Sequence, residues 1–287
     1  MRNKFIDGVF EATNQEEPFV YLEKKFGKLS EKTLKENLIQ FGVLPEVFKH
    51  DSSEEKNWAK LSDIILAQAL SYLDIPSEVL RTRGNSADVF GRSKKYTIIG
   101  DAKTFRLSRT AKNQKDFKIK ALDDWRRENT YAILVSPLSQ YPTTNSQIYF
   151  QAIDKNVTLL SYLHLKLLLD FGIKNDKLEK LWCVGRALKT ETKAADHAKA
   201  RPYWQKVNET VCEIANVGME KILEYKDAEI QITRDLGHEG IRYWETKIEE
   251  CKQLPKAEAI RRLIKAEKFE SKIVTIKKAI RFEEVAV

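Results

Sequence analysis

Three short runs constrain the fold of this chain more than any other feature: ADVFG, YTIIGDA and YAILVSP, all between residues 87 and 137. Each is rich in β-branched and aromatic residues and is bounded by Gly, Ser or Pro, which is how strands read. Between the second and third lies KNQKDFKIKALDDWRREN, whose apolar residues recur at helical spacing. QIYF and NVTLLSY are weaker strand candidates. The flanks read as helices. Ser30 with Thr33 opens one helical run, which Pro45 interrupts. SSEEKNWAKLSDIILAQALSYL gives a second, capped by Ser52 or Ser53, with Glu54 and Glu55 in its first turn. Its apolar stripe is Trp58, Leu61, Ile64, Ile65, Ala69 and Tyr72. From about residue 160 onward the pattern is helical, and Pro202 and Pro255 stand where helices start. Helix, strands, helix, strand, helices is the order of an α/β or α+β core with a helical remainder.

Composition narrows the class. The 287 residues, 42% of them hydrophobic, suffice for one large domain or two modest ones. Charged residues of both signs make up 32%, and with the aromatic content they exclude a disordered chain. The formal net charge of +8 favours an anionic partner, nucleic acid first. Cys183, Cys212 and Cys251 form no CxxC and lie at no zinc-finger spacing, so a reduced, cytoplasmic setting is expected. The four histidines are scattered and suggest no metal site. The start, MRNKFIDGVFEATNQEE, lacks the apolar segment of a secretory signal. No run of apolar residues reaches membrane-spanning length.

The chemistry lies in RGNSADVF and GDAKTF. Asp101 and Lys103 are two apart on a predicted strand and therefore share a face. Asp88 is on the preceding strand, and a turn near Lys94 and Lys95 would set it across from Asp101. Two carboxylates and an ammonium at one sheet surface suit phosphodiester hydrolysis. The carboxylates would bind Mg²⁺, which prefers hard oxygen ligands, and Lys103 would orient the attacking water and stabilise the charged transition state. The pattern is D-x₁₂-D-x-K, the PD-(D/E)xK nuclease signature with Ala87 in place of its proline. The same residues also read as a surface ion pair on an edge strand.

The segment that follows decides between them. Residues 104–127 hold eight basic side chains, Arg106, Arg109, Lys112, Lys115, Lys118, Lys120, Arg126 and Arg127, against three acids, a net +5. A charge run is commonly a solvated helix face. Directly after a metal pair, it is also where a nuclease needs phosphate contacts, and Arg106, Arg109, Lys112 and Lys118 are the candidates. Within the run, Asn113 suits adenine, Lys115 the O6/N7 edge of guanine, Asp116 the amino group of cytosine, and Ala111 a thymine methyl. These residues read equally well as ordinary polar residues of a helix start.

DAKTFRLSRTAKNQKDFKIKAL resembles the corresponding segment of HindIII-type type II restriction endonucleases. The similarity continues through YAILVSPLSQYPTTNSQIY and back through GVLPE and RGNSADV, with weaker echoes at RYW and ESKI. It spans most of the chain and is densest from 83 to 150. The resemblance implies a PD-(D/E)xK restriction-endonuclease-like core, a mixed sheet flanked by helices, at about 50–165. A helical C-terminal region at about 166–287 completes one endonuclease domain over 1–287. It also implies a homodimer, Mg²⁺ dependence, cleavage of double-stranded DNA at 5′-AAGCTT, and a DNA methyltransferase in the same system. Carried over by position, Asp88, Asp101 and the Ala102 carbonyl would be metal ligands, and Lys103 the catalytic lysine. Ala111, Asn113, Lys115 and Asp116 would read bases. Glu55 would bring a further carboxylate from the early helix, or serve only as a first-turn acid favoured by the helix dipole. Arg81 departs from the family, where an acidic residue is expected. A DNA-binding protein that does not cut, or a structure-specific repair or recombination nuclease, would share part of this pattern. The first would not need Asp88, Asp101 and Lys103, and the second would not need the Asn113, Lys115 and Asp116 cluster.

Overall fold

All five residues of YAILV, 131–135, are buried, so this strand lacks the alternation of one that faces water on one side. It therefore belongs inside a sheet covered on both faces. The computed structural model describes residues 1–81, 87–109, 114–267, 272–274 and 276–277, with Gln114 and Lys115 described in backbone only. Among these residues five strands form one mixed sheet in the order β1-β2-β3-β4-β5. They are β1 (Ser77–Val79), β2 (Val89–Arg92), β3 (Thr97–Ala102), β4 (Tyr131–Val135) and β5 (Val157–Leu160). β1, β2 and β3 pair antiparallel, whereas β3, β4 and β5 pair parallel. The hairpin between β2 and β3 closes over Ser93–Tyr96, held by the Ser93 amide donating to the Tyr96 carbonyl at 2.9 Å.

The helices before the sheet are α1 (Arg2–Thr13), α2 (Pro18–Phe26), α3 (Glu31–Asn37) and α4 (Ser53–Tyr72). Ser30 caps α3, and Ser52 caps α4 by accepting from the Glu55 amide at 3.3 Å. α4 packs on β1, β2 and β3. Gly100 permits that approach, because a Cβ there would sit 3.2 Å from Leu66 of α4 and 3.3 Å from Ile133. Trp58, fully buried, anchors the start of α4 against Phe41 and Phe48 and donates from Nε1 to the Phe41 carbonyl at 3.2 Å. α1 and α2 close this side through Phe5, which meets Phe26 and Phe41.

The parallel strands are joined by α5 (Ile119–Arg126) and α6 (Gln147–Lys155). QIYF, a strand candidate on composition, is the start of α6. Ile148, Tyr149, Ala152 and Ile153 are buried at helical spacing, a period that a window of four residues cannot reveal. NVTLLSY does supply β5. Then follow α7 (Tyr162–Asp170), α8 (Asn175–Trp182), α9 (Val184–Glu191), α10 (Ala200–Ala215), α11 (Met219–Lys252) and α12 (Lys256–Ala266). Pro202 lies in the first turn of α10, and Pro255 directly precedes α12. The helical remainder is tied to the sheet by polar groups of large aromatics: Trp182 Nε1 donates to the Tyr96 hydroxyl, and the Leu159 amide donates to the Tyr203 hydroxyl. His164 completes a capping box on α7, its Nδ1 accepting from the Ser161 amide at 3.0 Å. Its Nε2 therefore carries the proton and donates to Asn208 Oδ1. Burial lowers its pKa to about 4, so the ring is neutral.

Two compact units divide the chain, Met1–Gly240 and Ile241–Val287. The stretch expected to form the nuclease core thus shares its unit with the helices on both sides of it. The second unit contains the end of α11 and all of α12. Ile241, Trp244 and Ile248 are exposed on one face of the first, and Ile260, Leu263 and Ile264 on one face of the second. No described helix is long and apolar enough to cross a membrane. Cys183, Cys212 and Cys251 are free thiols.

Candidate active site

The antiparallel register pairs Val89 with Gly100. Continued by one residue, it sets Asp88 opposite Asp101, where the two strands end. β3 and β4 run parallel, so their carboxyl ends lie side by side, the usual place for a site in such sheets. Asp101 and Ala102 are the last residues of β3, and both are buried. The chain is fixed just beyond them. The Lys103 amide donates to the Val135 carbonyl at 2.7 Å, and the Lys103 carbonyl accepts from the Tyr162 hydroxyl at 3.1 Å.

A third carboxylate joins the two expected ones. Asp63, on α4, is buried, as are its chain neighbours Leu61, Ser62, Ile64 and Ile65. One oxygen each from Asp63, Asp88 and Asp101 lie within 4.8 Å of one another. Asp63 Oδ1 also faces the Ala102 amide at 3.4 Å. Lys103 Nζ sits 2.5 Å from Asp101 Oδ2. On the other side, Lys60 Nζ ion-pairs with Asp88 and lies 3.4 Å from Asp63 Oδ2. Burial pushes the Asp63 carboxyl well above the ordinary range, and the neighbouring Asp88 charge adds to this. Burial raises Asp101 as well, while Lys103 opposes the shift. Three carboxylates against two ammonium groups leave the centre one negative charge in excess. A hard divalent ion binds oxygens at roughly 2.0–2.6 Å, so ligands on opposite sides are about 4–5 Å apart. The cluster matches that span, and its donor set can hold such an ion.

Glu55 does not reach this cluster. Eight residues earlier on α4, it lies about 12 Å back along the helix. There its Oε2 accepts from the Asp51 amide at 2.9 Å and pairs with Arg106 at 3.4 Å. The early-helix carboxylate at the centre is Asp63 instead. The sequence held one sign of it, a carboxylate in a helix segment that is apolar on more than one face, with Ile64, Ile65, Leu66 and Ala67 directly following it, where an unpartnered charge is rarely tolerated.

Arg106, expected to contact phosphate, turns inward: its side chain is only 11% exposed. It donates to the Phe48 carbonyl at 2.7 Å and to the Pro45 carbonyl at 3.3 Å, and it pairs with Glu46 and Glu55. The buried carbonyls at 45–48 need donors, and a guanidinium fork supplies several at once. Arg109 lies over the Phe105 ring, 4.4 Å from its centroid, and ion-pairs with Asp116. Lys118 is exposed, and its charge acts on Asp101. Ala111, Lys112 and Asn113 lie outside the described residues, as does the side chain of Lys115. The departure at Arg81 is an exposed cation that pairs with Glu23 at 2.6 Å.

A mixed sheet with two carboxylates and a lysine gathered at adjacent strand ends is the arrangement of the PD-(D/E)xK nucleases. Comparison with known proteins narrows the class. The family described as HindIII restriction endonuclease matches residues 11–280. The type II restriction enzyme HindIII of Haemophilus influenzae (strain ATCC 51907 / DSM 11121 / KW20 / Rd) is 36% identical over 271 residues, covering 93% of this chain and 88% of that protein. This chain belongs to the HindIII restriction endonuclease family and is a type II restriction endonuclease.

Proposed function

We propose that this enzyme hydrolyses both strands of DNA at the palindrome 5′-AAGCTT, as a Mg²⁺-dependent homodimer. One observation carries the chemistry: three carboxylates converge within 4.8 Å, with the Lys103 ammonium 2.5 Å from one of them. Asp63, Asp88 and Asp101 would hold the metal. The Ala102 carbonyl would be a further ligand, a reading supported by its N–H facing Asp63, since the N–H and C=O of one strand residue point the same way. A divalent ion bound there polarises the phosphate and lowers the pKa of water. Lys103 orients the attacking water beside Asp101. The water oxygen adds to phosphorus, its proton leaves to solvent, and the bond to the leaving oxygen breaks, that oxygen taking a proton from solvent. The Lys103 ammonium also neutralises charge that grows on the phosphate oxygens. Burial of Asp63 and Asp101 favours a bound cation, since an uncompensated buried carboxylate is costly.

Site reading falls to Ala111, Asn113, Lys115 and Asp116, with Arg109, Lys112 and Lys118 on phosphates. Asp116 has a counter-charge in Arg109 until DNA offers an amino group to the one and a phosphate to the other. A palindrome presents two equivalent half-sites, which a two-fold dimer matches with one active site per strand. The exposed apolar faces at Ile241–Ile248 and Ile260–Ile264 give such a dimer surface to bury. The protein works in the cytoplasm beside a methyltransferase that protects host sites. The test is plasmid digestion with Mg²⁺, with and without EDTA, followed by sequencing of the ends. Ends within AAGCTT that EDTA abolishes are expected. Ends elsewhere would refute the specificity, and EDTA-resistant cutting would refute the metal.

A further inference from the structure

The mechanism above leaves Lys60 without a task, although its ammonium sits in the carboxylate cluster. Lys60 lies one turn before Asp63 on α4, so the two side chains share a face. Its Nζ contacts Asp63 Oδ2 at 3.4 Å and ion-pairs with Asp88. The charges are therefore divided: Lys103 serves Asp101, while Lys60 serves the other two.

We propose that Lys60 is a resident counter-cation that a divalent ion must displace from Asp63 and Asp88. The inference rests on the metal-dependent reading of this site. A divalent ion within ligand distance of both carboxylates would stand only a few ångströms from an ammonium bridging the same two groups. Like charges that close, beside buried walls, repel strongly. The two cations exclude each other.

The lysine is able to leave. Its side chain is 40% exposed, against 18% for Lys103, and its stem is long and flexible. Off DNA, the two ammonium groups offset two of the three carboxylate charges and weaken the pull on an ion. On DNA, a backbone phosphate offers the displaced ammonium a new partner and gives the ion another oxygen. Lys60 thereby makes metal and DNA occupancy reinforce each other, and by linkage the coupling is mutual. Loading of the hydrolytic centre then follows the encounter with substrate.

The test is binding of Mn²⁺ to the full-length protein without DNA, read as loss of the free-ion electron paramagnetic resonance signal. Lys60→Met keeps helix propensity and stem length. It should bind Mn²⁺ about tenfold more tightly than wild type, a difference of about 1.4 kcal/mol. Lys60→Gln serves the same end if the methionine variant folds poorly. Lys60→Arg, which keeps the charge, should stay within about threefold of wild type. Thermal unfolding gives an independent readout, because a ligand stabilises the state it binds. Mn²⁺ should raise the melting temperature of Lys60→Met more than that of wild type. Equal or weaker Mn²⁺ binding by both neutral variants would overturn the proposal, as would equal tightening by Lys60→Arg. A different result identifies failure of the underlying reading: wild-type Mn²⁺ binding that is absent, or that survives Asp101→Asn. That outcome removes the metal centre and this inference with it.

Discussion

Replacing Arg106 by alanine distinguishes a cation that holds the fold from one that holds DNA. Four hydrogen bonds are lost, to the Phe48 carbonyl at 2.7 Å, the Pro45 carbonyl at 3.3 Å, the Glu46 carbonyl at 3.5 Å and the Glu55 carboxylate at 3.4 Å. Bonds from a charged donor are worth about 1.5–3 kcal/mol each. The variant also leaves the Glu46 carboxylate, 7% exposed, without this counter-charge. Removing one partner of a buried pair costs roughly 3–5 kcal/mol. These losses overlap, and a destabilisation of about 3–5 kcal/mol is expected. Urea denaturation reads it as a lower midpoint at unchanged slope. Arg106→Lys keeps the charge without the planar fork and should fall between the two. In both variants the salt dependence of DNA binding should match wild type, since a buried guanidinium releases no counterions from phosphate. An unchanged urea midpoint, with a salt slope reduced by about one, would refute the inward placement and restore Arg106 to the DNA surface.

Three further outcomes follow from the site and its surroundings. Asp63→Asn should lose divalent-ion binding and cut DNA at least about a hundredfold more slowly, whereas Glu55→Gln should keep its cleavage rate; single-turnover kinetics on the two variants checks this. Glu229, in α11, accepts from the Leu138 amide at 2.9 Å, and its other oxygen is buried with no hydrogen-bond partner among the described residues. Burial lifts its pKa to about 7 from an ordinary 4.5. A raised carboxyl pKa means the folded state holds the proton longer, so its stabilising contribution is complete below about pH 4.5 and is lost as pH rises through about 7. Wild type should thus lose roughly 2–3 kcal/mol between pH 5 and pH 8 that Glu229→Gln does not lose; equal losses in urea titrations at the two pH values would contradict this.

The strand ends and the juxtaposition of Asp88 with Asp101 were legible because both depend on short-range pattern. The hairpin closing over Ser93–Tyr96 follows from two β-rich runs on either side of a polar turn, and it alone sets Asp88 against Asp101. Asp63 escaped that logic. Its partnership with them is made across the molecule, by the packing of α4 over Gly100, and a single sequence carries no record of such a contact. Glu55 was the more visible acid because helix starts favour carboxylates, a preference that holds with or without a metal. Arg106 misled for a similar reason: within a basic run nothing local separates the cation that faces buried carbonyls from those that face solvent. QIYF was misread because β-branched and aromatic content outweighed a helical period too long for the window. β1, at the sheet edge, is three residues long and offers no period at all.

In the proposed mechanism, cleavage runs through the carboxylate cluster at the end of β3. Its most direct test is a paired measurement on Asp101→Asn. DNA affinity is taken from fluorescence anisotropy on a duplex containing AAGCTT, and the single-turnover cleavage rate is taken with Mg²⁺ on the same duplex. The side chain is buried between Lys103 and the other carboxylates, so affinity should change by less than about fivefold. The rate should fall by roughly a thousandfold or more, because a carboxylate of the cluster proposed to hold the metal, and the partner of Lys103, are removed together. A variant that cuts at the wild-type rate would place the hydrolytic centre elsewhere in the molecule.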